Sequence, residues 1–309
     1  MILSLGTTPA VQRTLRFARF TLDAVNRAAE VFDYAGGKVS NVARVVHQLG
    51  EPVLACGFLG GDTGAFIQKN LDQTGIRHDF VTVQPPTRLC VTIVDQFTAT
   101  STELVEEAKP VESSDWERLY ETLHRHLKSA GALVLTGSMP PNSPADFYAR
   151  CTAAANQRGI PVVLDARGEP LQRALPHHPA VVKPNLSELA ATVGREIQSD
   201  DDLRRAIIKL IDQGAQWTII TRGPKPAIVS NGQSFWTLAT PAVPVLNTIG
   251  SGDAFTAGLA IALSRGQTLP EAGRLAAACG AANAMTLWAG HVEPEQVQQL
   301  LPRIQIAPW

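Results

Sequence analysis

A short polar turn near the carboxyl end of the chain carries the residue types that phosphoryl transfer requires. Gly250, Ser251 and Gly252 precede Asp253, and an apolar segment of residues 254–263 follows. This segment predicts a buried helix, and the free N–H groups in the first turn of such a helix favour an anion. A carboxylate beside an anion hole can take a proton from a hydroxyl group while the hole stabilises a phosphoryl group. The alternative is a capped core helix without a chemical role.

Other polar residues follow apolar runs of the chain, at positions where strands would end. They are Gly36, Gly37, Lys38 and Asn41; Thr87 and Arg88; Thr136, Gly137 and Ser138; Lys183, Asn185 and Glu188; and Thr221, Arg222 and Gly223. In an open parallel sheet, ligands bind beyond the carboxyl ends of the strands, so these groups can converge on one cleft. The motifs of P-loop and dinucleotide-binding proteins are absent, which argues against both folds.

The order of the apolar patterns predicts an α/β fold. After residue 130, short apolar strands alternate with helical patterns, which predicts a mostly parallel central sheet with helices on both faces. Two stretches, at about residues 11–34 and 87–106, instead alternate polar and apolar residues as half-exposed strands do. We expect them to pair as a small inserted β-sheet, a lid over the ligand. No linker interrupts the chain, so residues 1–309 are predicted to form one domain.

Composition narrows the class of partner. The chain has 27 Lys and Arg residues against 28 Asp and Glu residues, and this balance favours small molecules over nucleic acid or a membrane surface. No apolar run approaches the length of a membrane span, and the amino terminus lacks the pattern of a secretion signal. Four cysteines without metal-ligand spacing lie among apolar or small residues, which predicts buried thiols and a reducing, cytoplasmic setting.

Several motifs together resemble those of one family. GGKxxNVAR begins at Gly36, TGSMPP at Thr136, KPNxxEL at Lys183 and TIGSGD at Thr248. These segments resemble the signatures of the PfkB, ribokinase-like carbohydrate kinases, in particular the branch of 1-phosphofructokinase and tagatose-6-phosphate kinase. The resemblance covers almost the whole chain. It implies a ribokinase-like α/β core with a β lid, ATP as phosphoryl donor, Mg²⁺, and a homodimer formed through the lids.

The resemblance assigns roles on the phosphoryl-donor side. Asp253 is similar to the catalytic base of the family, and the three residues before it are similar to the anion hole. The residues then expected to bind ATP are Lys183, Asn185, Thr221, Gly223 and Asn283. Asn185 and Glu188 are expected to hold Mg²⁺ through water, because this ion keeps much of its hydration. Without the resemblance, this pair is interpreted as a helix cap.

On the acceptor side, two arginines are candidates for a phosphate already carried by the substrate, because a guanidinium group binds two phosphate oxygens together. They are Arg27 and Arg88, both in the expected lid, and Arg27 is expected to reach into the site of the partner subunit. The remaining candidates for the acceptor are Gln12, Gly36, Gly37, Lys38, Asn41 and Ser138. The alternatives are solvated surface arginines and an ordinary glycine turn.

Three residues of the acceptor pocket depart from the family pattern. Gln12 stands where the family usually has an aspartate, Val39 where it usually has a glycine, and Cys90 where this branch often has an asparagine. The sequence therefore predicts an ATP-dependent kinase of a ketohexose phosphate, with fructose 1-phosphate, fructose 6-phosphate and tagatose 6-phosphate as candidates. Two alternatives stay open. One is a ribokinase-like kinase of a non-phosphorylated sugar or nucleoside, and the other is a non-catalytic sugar or nucleotide sensor.

Overall fold

Most of the chain packs around one large β-sheet, as described by a computed structural model of residues 1–309. The strands are β1 (Ile2–Leu5), β2 (Ala10–Phe17), β3 (Glu30–Gly36), β4 (Val53–Cys56), β5 (Phe58–Leu59), β6 (Arg77–His78), β7 (Val81–Thr82), β8 (Arg88–Asp95), β9 (Thr100–Val105), β10 (Ala132–Thr136), β11 (Val162–Asp165), β12 (Val181–Val182), β13 (Trp217–Arg222), β14 (Lys225–Ser230), β15 (Phe235–Ala239) and β16 (Gln305–Pro308). The helices are α1 (Gly37–Gln48), α2 (Gly61–Gln73), α3 (Ser113–Leu127), α4 (Phe147–Asn156), α5 (Gly168–Ala174), α6 (Leu186–Val193), α7 (Asp200–Asp212), α8 (Ser251–Ser264), α9 (Leu269–Ala284) and α10 (Pro294–Leu300).

The central sheet has ten strands in the order β16-β15-β14-β13-β12-β11-β10-β1-β4-β6. The seven strands β13-β12-β11-β10-β1-β4-β6 are parallel to one another, and β14, β15 and β16 extend the sheet in antiparallel fashion. Ile2 of β1 packs into one hydrophobic core with α1, α8 and α9, whereas Leu3 and Leu5 pack into a second core with α3 and α4. Helices therefore cover both faces of the sheet, which is why its inner strands are apolar throughout.

The chain changes direction across the sheet beside β1. It continues from β1 to β4 and β6 on one side and then returns to β10 on the other side. At such a switch point, the loops that follow the two neighbouring strands separate and open a crevice. Thr7 and Thr8 follow β1 there, and Ser138 follows β10. Both threonine hydroxyls donate to the backbone oxygen of Ser138, at 3.1 and 3.0 Å.

A separate four-stranded sheet with the order β3-β2-β8-β9 lies at this crevice, and we call it the inserted sheet. Ala10 of β2 pairs with Gly36 of β3 and with Arg88 of β8, so these three strand ends lie side by side. Paired residues project to the same face of a sheet. The Tyr34 hydroxyl on one face accepts a hydrogen bond from the backbone nitrogen of Ala289 at 3.0 Å. This face is turned toward the core, and we call it the cleft face.

The structure confirms the fold class that the sequence predicts. The apolar segment of residues 254–263 lies within α8, and the two alternating stretches form the four strands of the inserted sheet. Two elements are not predicted: α5, which has seven residues including a glycine and a proline, and β16, which is mostly exposed and has no apolar pattern. No helix combines the length and the apolar composition that a membrane crossing requires.

Candidate active site

The turn before α8 leaves two backbone N–H groups free. Gly250 has φ = 84°, and a Cβ atom there would overlap the backbone nitrogen of Gly290, so the position requires glycine. The N–H groups of Gly250 and Gly252 donate to no other group of the protein, whereas that of Ser251 donates to Thr248 O at 3.2 Å. The free groups stand at the amino end of a 14-residue helix, whose dipole adds positive potential. The turn is therefore suited to an anion.

Asn283 of α9 holds this turn from behind. Its amide nitrogen donates to Ile249 O at 3.0 Å and to Ser251 Oγ at 3.1 Å, and its amide oxygen accepts from His291 N at 3.1 Å. The side chain is fully buried. The sequence predicts Asn283 as a nucleotide contact, but in the structure its donors and its acceptor are used within the protein. Asn283 therefore positions the turn and does not present an amide to a ligand.

Asp253 lies in the first turn of α8 with 7% of its surface exposed. Its Oδ2 atom accepts a hydrogen bond from the side-chain amide of Asn41 at 2.7 Å, and its other oxygen has no such partner in the protein. Burial raises the pKa of Asp253, and the nearby carboxylate of Asp165 raises it further, although Lys38 and Asn41 act in the opposite direction. A carboxylate with a raised pKa and one free oxygen can accept a proton.

A second buried carboxylate, Asp165 at the end of β11, joins two lysines. Its Oδ1 atom lies 3.0 Å from Lys38 Nζ, and its Oδ2 atom lies 3.3 Å from Lys183 Nζ. The hydroxyl groups of Thr136 and Thr256 also donate to Oδ2, at 3.4 and 3.2 Å. Burial acts to raise the pKa of Asp165, but the two ammonium groups outweigh it and hold the pKa below its usual value. Asp165 is therefore ionised and fixes both lysines.

The two lysines bring positive charge to the turn. A Cβ atom on Gly252 would lie 3.7 Å from Lys183 Nζ, so this ammonium group is next to the amino end of α8. Burial acts to lower the pKa of Lys38, but three nearby carboxylates, Asp165 first among them, raise it well above its usual value. Lys38 therefore keeps its charge. This arrangement can stabilise negative charge that develops on a phosphoryl group.

Asn185 and Glu188 form a capping box at the start of α6. Asn185 Oδ1 accepts from Glu188 N, and Glu188 Oε2 accepts from Asn185 N, both at 2.8 Å. The cap uses one oxygen of each side chain, while the other carboxylate oxygen of Glu188 lies 3.7 Å from Lys38 Nζ. No group of three or more His, Cys, Asp or Glu side chains is arranged to bind a metal directly. The free carboxylate oxygen of Glu188 can accept hydrogen bonds from the waters of a hydrated ion.

A cavity of about 600 Å³ opens beside the cap of α6. Asn185, Thr221, Arg222 and Gly223 contribute to its wall, and Asn185 forms a parallel β-bridge with Thr221. The volume is within the range of small-molecule sites, roughly 300–1,000 Å³. Residues that the sequence predicts to bind ATP thus lie together at this cavity, and Lys183 lies deeper, against Asp165.

Two glycines join the inserted sheet to α1. Gly36 ends β3, and Gly37 begins α1 with φ = 76°. A Cβ atom on Gly37 would lie 2.8 Å from the Cα atom of Pro9, so only glycine permits this close approach. The junction places Lys38 and Asn41 at the start of α1, where they contact the two acidic side chains of the site. The GGKxxN motif therefore connects the inserted sheet directly to the buried carboxylates.

Arg88 and Ser138 both contact Thr8 at the crevice. Arg88 Nη2 donates to Thr8 O at 3.0 Å, and Arg88 Nη1 donates to Glu106 O at 3.1 Å. The hydroxyl oxygens of Thr8 and Ser138 are 3.4 Å apart. The Nε atom of Arg88 is buried without a hydrogen-bond partner. A guanidinium group and a hydroxyl group thus share one part of the crevice, as recognition of a phosphate requires.

The three residues that depart from the family pattern are all buried. Gln12 is 3% exposed, and its amide nitrogen donates to Thr92 Oγ1 at 2.9 Å. Cys90 pairs with Gln12 across the inserted sheet and carries a free thiol. Val39 packs into the hydrophobic core, so its side chain does not narrow the crevice. Among the three, only Gln12 and Cys90 change the cleft face.

Arg27 is not brought to the crevice of its own chain. It lies in the loop between β2 and β3, at the end of the inserted sheet that is remote from Gly36. The side chain is exposed and forms no ion pair or hydrogen bond within the chain. The described chain therefore separates Arg27 from Arg88, although the sequence groups the two as phosphate ligands.

Asp165 is the residue of this site that the candidates from the sequence omit. It follows the apolar residues 162–164 of β11, and it pairs in register with Thr136 at the end of β10. Carboxyl ends of neighbouring parallel strands meet at one edge of a sheet. A carboxylate directly after an apolar strand indicates a functional position, because charged groups are otherwise rare inside a parallel sheet. This pattern could have identified Asp165 from the sequence.

A model of the pfkB family of carbohydrate kinases matches residues 2–294. The chain belongs to this family. This pfkB kinase is accordingly a phosphotransferase with an alcohol group as acceptor, and the family and enzyme class predicted from the sequence are confirmed.

Solved structures of several kinases resemble the pfkB kinase over nearly its whole length. A candidate phosphofructokinase from Staphylococcus aureus is 29% identical, with a TM-score of 0.80 and coverage of 100% of this chain and 99% of that chain. A candidate 1-phosphofructokinase from Thermotoga maritima is 23% identical, with a TM-score of 0.91 and coverage of 100% and 99%. Phosphofructokinase-2 from Escherichia coli, in complex with fructose-6-phosphate, is 23% identical, with a TM-score of 0.85 and coverage of 98% of both chains. The latter two similarities establish the fold alone.

Proposed function

We propose that this pfkB kinase transfers the γ-phosphoryl group of ATP to a hydroxyl group of a ketohexose phosphate. Fructose 1-phosphate, fructose 6-phosphate and tagatose 6-phosphate are the candidate acceptors. One observation supports the chemistry most strongly: the buried carboxylate of Asp253, with one free oxygen, directly follows a turn with two free N–H groups. A base and an anion hole in one helical turn serve the two sides of a phosphoryl transfer.

In the proposed reaction, Asp253 accepts the proton of the acceptor hydroxyl group. The hydroxyl oxygen then forms a bond to the γ-phosphorus atom, and the bond between that atom and the β,γ-bridging oxygen breaks, so ADP leaves with the electron pair. The N–H groups of Gly250 and Gly252 would stabilise the charge on the transferred group, together with the ammonium group of Lys183. Asn41 fixes the carboxylate of Asp253 at 2.7 Å, so little reorganisation is needed during the reaction.

The residues of the α6 cap fit a hydrated Mg²⁺ ion bound with ATP. Glu188 Oε1 is not used by the capping box and can accept from a metal-bound water, and the amide of Asn185 lies beside it in the same box. Glu188 and Asn185 would hold the ion through its waters. Such an ion neutralises charge on the phosphates of ATP.

The acceptor phosphate is assigned to Arg88 and Ser138. Both lie at the crevice beside Thr8, and Arg88 retains an unpaired Nε–H group. Arg27 would contribute from the partner subunit, in a homodimer formed through the inserted sheets. Exposed apolar side chains in the loops at the same end of the sheet as Arg27 support such a contact; they are Leu22, Val25 and Phe97. The inserted sheet would then act as a lid that excludes water.

The setting proposed for the enzyme is the cytoplasm. All four cysteines are free and buried, and thiols of this kind are typical of reducing compartments. The partner molecules are accordingly small metabolites, and neither the charge balance nor the described surface favours nucleic acid.

A kinase of a non-phosphorylated sugar or nucleoside is the second candidate function. Both Nη atoms of Arg88 already donate to backbone oxygens, which leaves fewer donors for a phosphate. Gln12 also offers an uncharged amide on the cleft face. Family membership argues against the third possibility, a non-catalytic sensor.

A panel of acceptors separates these functions. Release of ADP from MgATP is measured with ketohexoses, ketohexose 1-phosphates, ketohexose 6-phosphates, ribose and nucleosides. The proposal predicts the highest kcat/KM with a ketohexose phosphate. It also predicts that Arg88→Gln raises the KM for that acceptor about tenfold, because a hydrogen bond to a charged group contributes about 1.5–3 kcal/mol.

The matched control is Arg13→Gln. Arg13 lies on the opposite face of the same sheet and is paired with Asp33 at 2.6 Å. Its replacement should leave the KM for the acceptor and the KM for MgATP unchanged. A free sugar or a nucleoside as the best acceptor, with no effect of Arg88→Gln, would exclude the ketohexose phosphate and favour the second candidate.

A further inference from the structure

Glu103 of β9 lies on the cleft face of the inserted sheet. It pairs with Thr92 in β8, Thr92 pairs with Thr14 in β2, and Thr14 pairs with Phe32 in β3. These four residues form one row, and paired residues in neighbouring strands project to the same side. Phe32 contacts Trp288 edge-on, with ring centroids 5.6 Å apart, which shows that this side faces the core. The carboxylate of Glu103 is therefore directed over the crevice.

The carboxylate of Glu103 senses the charges at both ends of the proposed acceptor site. Withdrawal of water by the surrounding protein raises the pKa of Glu103, and the charge of Asp253 raises it further, while Arg88 acts in the opposite direction. Both groups are thus close enough for their charges to act on this carboxylate. Asp253 is the proposed base for the reacting hydroxyl group, and Arg88 is the proposed phosphate ligand.

The carboxylate of Glu103 has no protein partner. It forms no hydrogen bond and no ion pair within the chain, and its side chain is exposed. Two other acidic residues are paired: Glu106, just after β9, accepts from Leu89 N at 2.9 Å, and Glu30 on the cleft face is paired with Arg16 at 2.7 Å. Glu103 is exposed, so water solvates its carboxylate in the free protein, and a ligand that displaces this water must supply hydrogen-bond donors in its place.

Gln12 offers a weaker acceptor than Glu103. Its side chain is an amide without charge, and its nitrogen is already bonded to Thr92, the direct neighbour of Glu103 in the sheet. Hydroxyl groups of a sugar are donors as well as acceptors, and an ionised carboxylate is acceptor-only, with two oxygens that can each accept from a different hydroxyl group. Glu103 is therefore the strongest acceptor that the cleft face offers to a sugar.

We propose that Glu103 is a specificity-determining residue for the acceptor, and that its carboxylate binds hydroxyl groups in the middle of a polyhydroxylated chain. The hydroxyl group that reacts lies at Asp253, and the substituent at the other end of the acceptor lies at Arg88. This assignment rests on the proposed function for the position of the acceptor. It implies that the kinase rejects analogues that lack the bound hydroxyl groups, because the carboxylate is then left without donors.

The test compares Glu103→Gln with Glu107→Gln. Glu107 is an exposed acidic residue four positions along the chain and has no hydrogen bond or ion pair, so its replacement removes the same charge from outside the inserted sheet. The KM values for the acceptor and for MgATP are measured separately, and binding of the acceptor is measured by calorimetry without nucleotide. Glu103→Gln should raise the KM and the Kd for the acceptor about tenfold or more, as loss of a charge-assisted hydrogen bond requires. The kcat and the KM for MgATP should stay within about threefold of the wild type, because Glu103 is not given a role in the chemical step.

Deoxy analogues of the best acceptor sharpen this test. Each analogue lacks one hydroxyl group. The analogue that lacks the hydroxyl group bound by Glu103 should bind equally weakly to the wild type and to Glu103→Gln, because the analogue and the variant each remove one partner of the same interaction. An acceptor Kd that is unchanged in Glu103→Gln would overturn the proposal, as would an equal increase in Glu107→Gln.

The calorimetric measurement keeps this inference separate from the proposed function. If sugar phosphates bind but do not release ADP from MgATP, the proposed function fails, and the difference in Kd between the two variants still decides the role of Glu103. If neither sugars nor sugar phosphates bind to the wild type, both proposals are wrong. Melting temperatures of the variants show whether any loss comes from unfolding.

Discussion

The catalytic turn and the cleft face of the inserted sheet satisfy their polar groups in opposite ways. At the turn, Asn283 is fully bonded within the protein, Asn41 holds one oxygen of Asp253, and Asp165 holds two lysines. On the cleft face, by contrast, Glu103 has no partner within the chain, and Arg88, farther along β8, has a buried Nε atom without one. Groups that perform the reaction are fixed in advance, whereas groups that would select the acceptor are left for the ligand to satisfy.

This difference explains how one scaffold can change its substrate while the reaction stays the same. A pre-organised base and anion hole lose little free energy on reorganisation, so they tolerate few changes. A polar group that only a ligand satisfies can be exchanged without loss of stability, because nothing inside the protein depends on it. Glu103 is such a group, whereas Gln12 on the same face is buried and bonded to Thr92.

The largest expected effect is that of Asp253→Asn. The amide keeps the shape of the side chain but cannot accept the proton, so kcat should fall about 10²- to 10⁴-fold. This loss should be the same for every acceptor, because the turn serves the reaction and not the choice of sugar. Steady-state release of ADP with two different acceptors measures it.

The pH dependence of the wild type provides the control for Asp253→Asn. A protonated Asp253 cannot act as base, and burial raises its pKa, so kcat should decline with falling pH from a higher pH than an ordinary aspartate would give. The residual rate of Asp253→Asn should lack this acidic decline. A rate within a few-fold of the wild type, or an unchanged acidic decline, would remove Asp253 as the base.

A smaller effect is expected from Asp165→Asn, measured as stability. Replacement leaves Lys183 buried and Lys38 half-buried without their shared carboxylate, and removal of one partner from a buried ion pair costs about 3–5 kcal/mol of the free energy of unfolding. Because the folded protein lowers the pKa of Asp165, its contribution is present above the pKa of the unfolded chain and is lost as the pH falls through the folded pKa. The difference between variant and wild type should therefore shrink in acid.

Urea unfolding at neutral and acidic pH measures this difference, with Asp212→Asn as the control. Asp212 is exposed at the end of α7 and forms no ion pair, so its replacement should change the free energy of unfolding by less than about 0.5 kcal/mol. Equal stability of Asp165→Asn and Asp212→Asn would show that the lysines do not depend on Asp165.

The sequence predicts the catalytic side of the molecule better than the acceptor side. Gly250 to Asp253 form a continuous motif, and the local rules for helix ends are enough to assign an anion and a base to it. Asn185 and Glu188 are also close in the chain, and both interpretations that the sequence allows for them, a cap and a contact to hydrated metal, are compatible with the structure.

Residues that meet only through the fold could not be assigned in the same way. Asp165 contacts Lys38 and Lys183, which are 127 and 18 positions away along the chain, and no local pattern expresses that contact. The sequence could not show that Asn283 holds a backbone turn, because a buried asparagine in that role and one that faces a ligand have the same appearance in a sequence. Glu103 depends on the register of three strands, which a sequence pattern does not define to the residue.

The smallest expected effect tests the outer face of the inserted sheet. Arg13 and Asp33 form an ion pair at 2.6 Å there, but their side chains remain 44% and 32% exposed. The guanidinium group lowers the pKa of Asp33, yet solvent screens a pair of this kind, so Arg13→Ala should reduce the free energy of unfolding by less than about 1 kcal/mol. The KM for the acceptor should not change, because this face is turned away from the crevice. A tenfold rise in that KM would show that the outer face also takes part in acceptor binding. It would contradict the assignment of acceptor binding to the cleft face, where Glu103 lies.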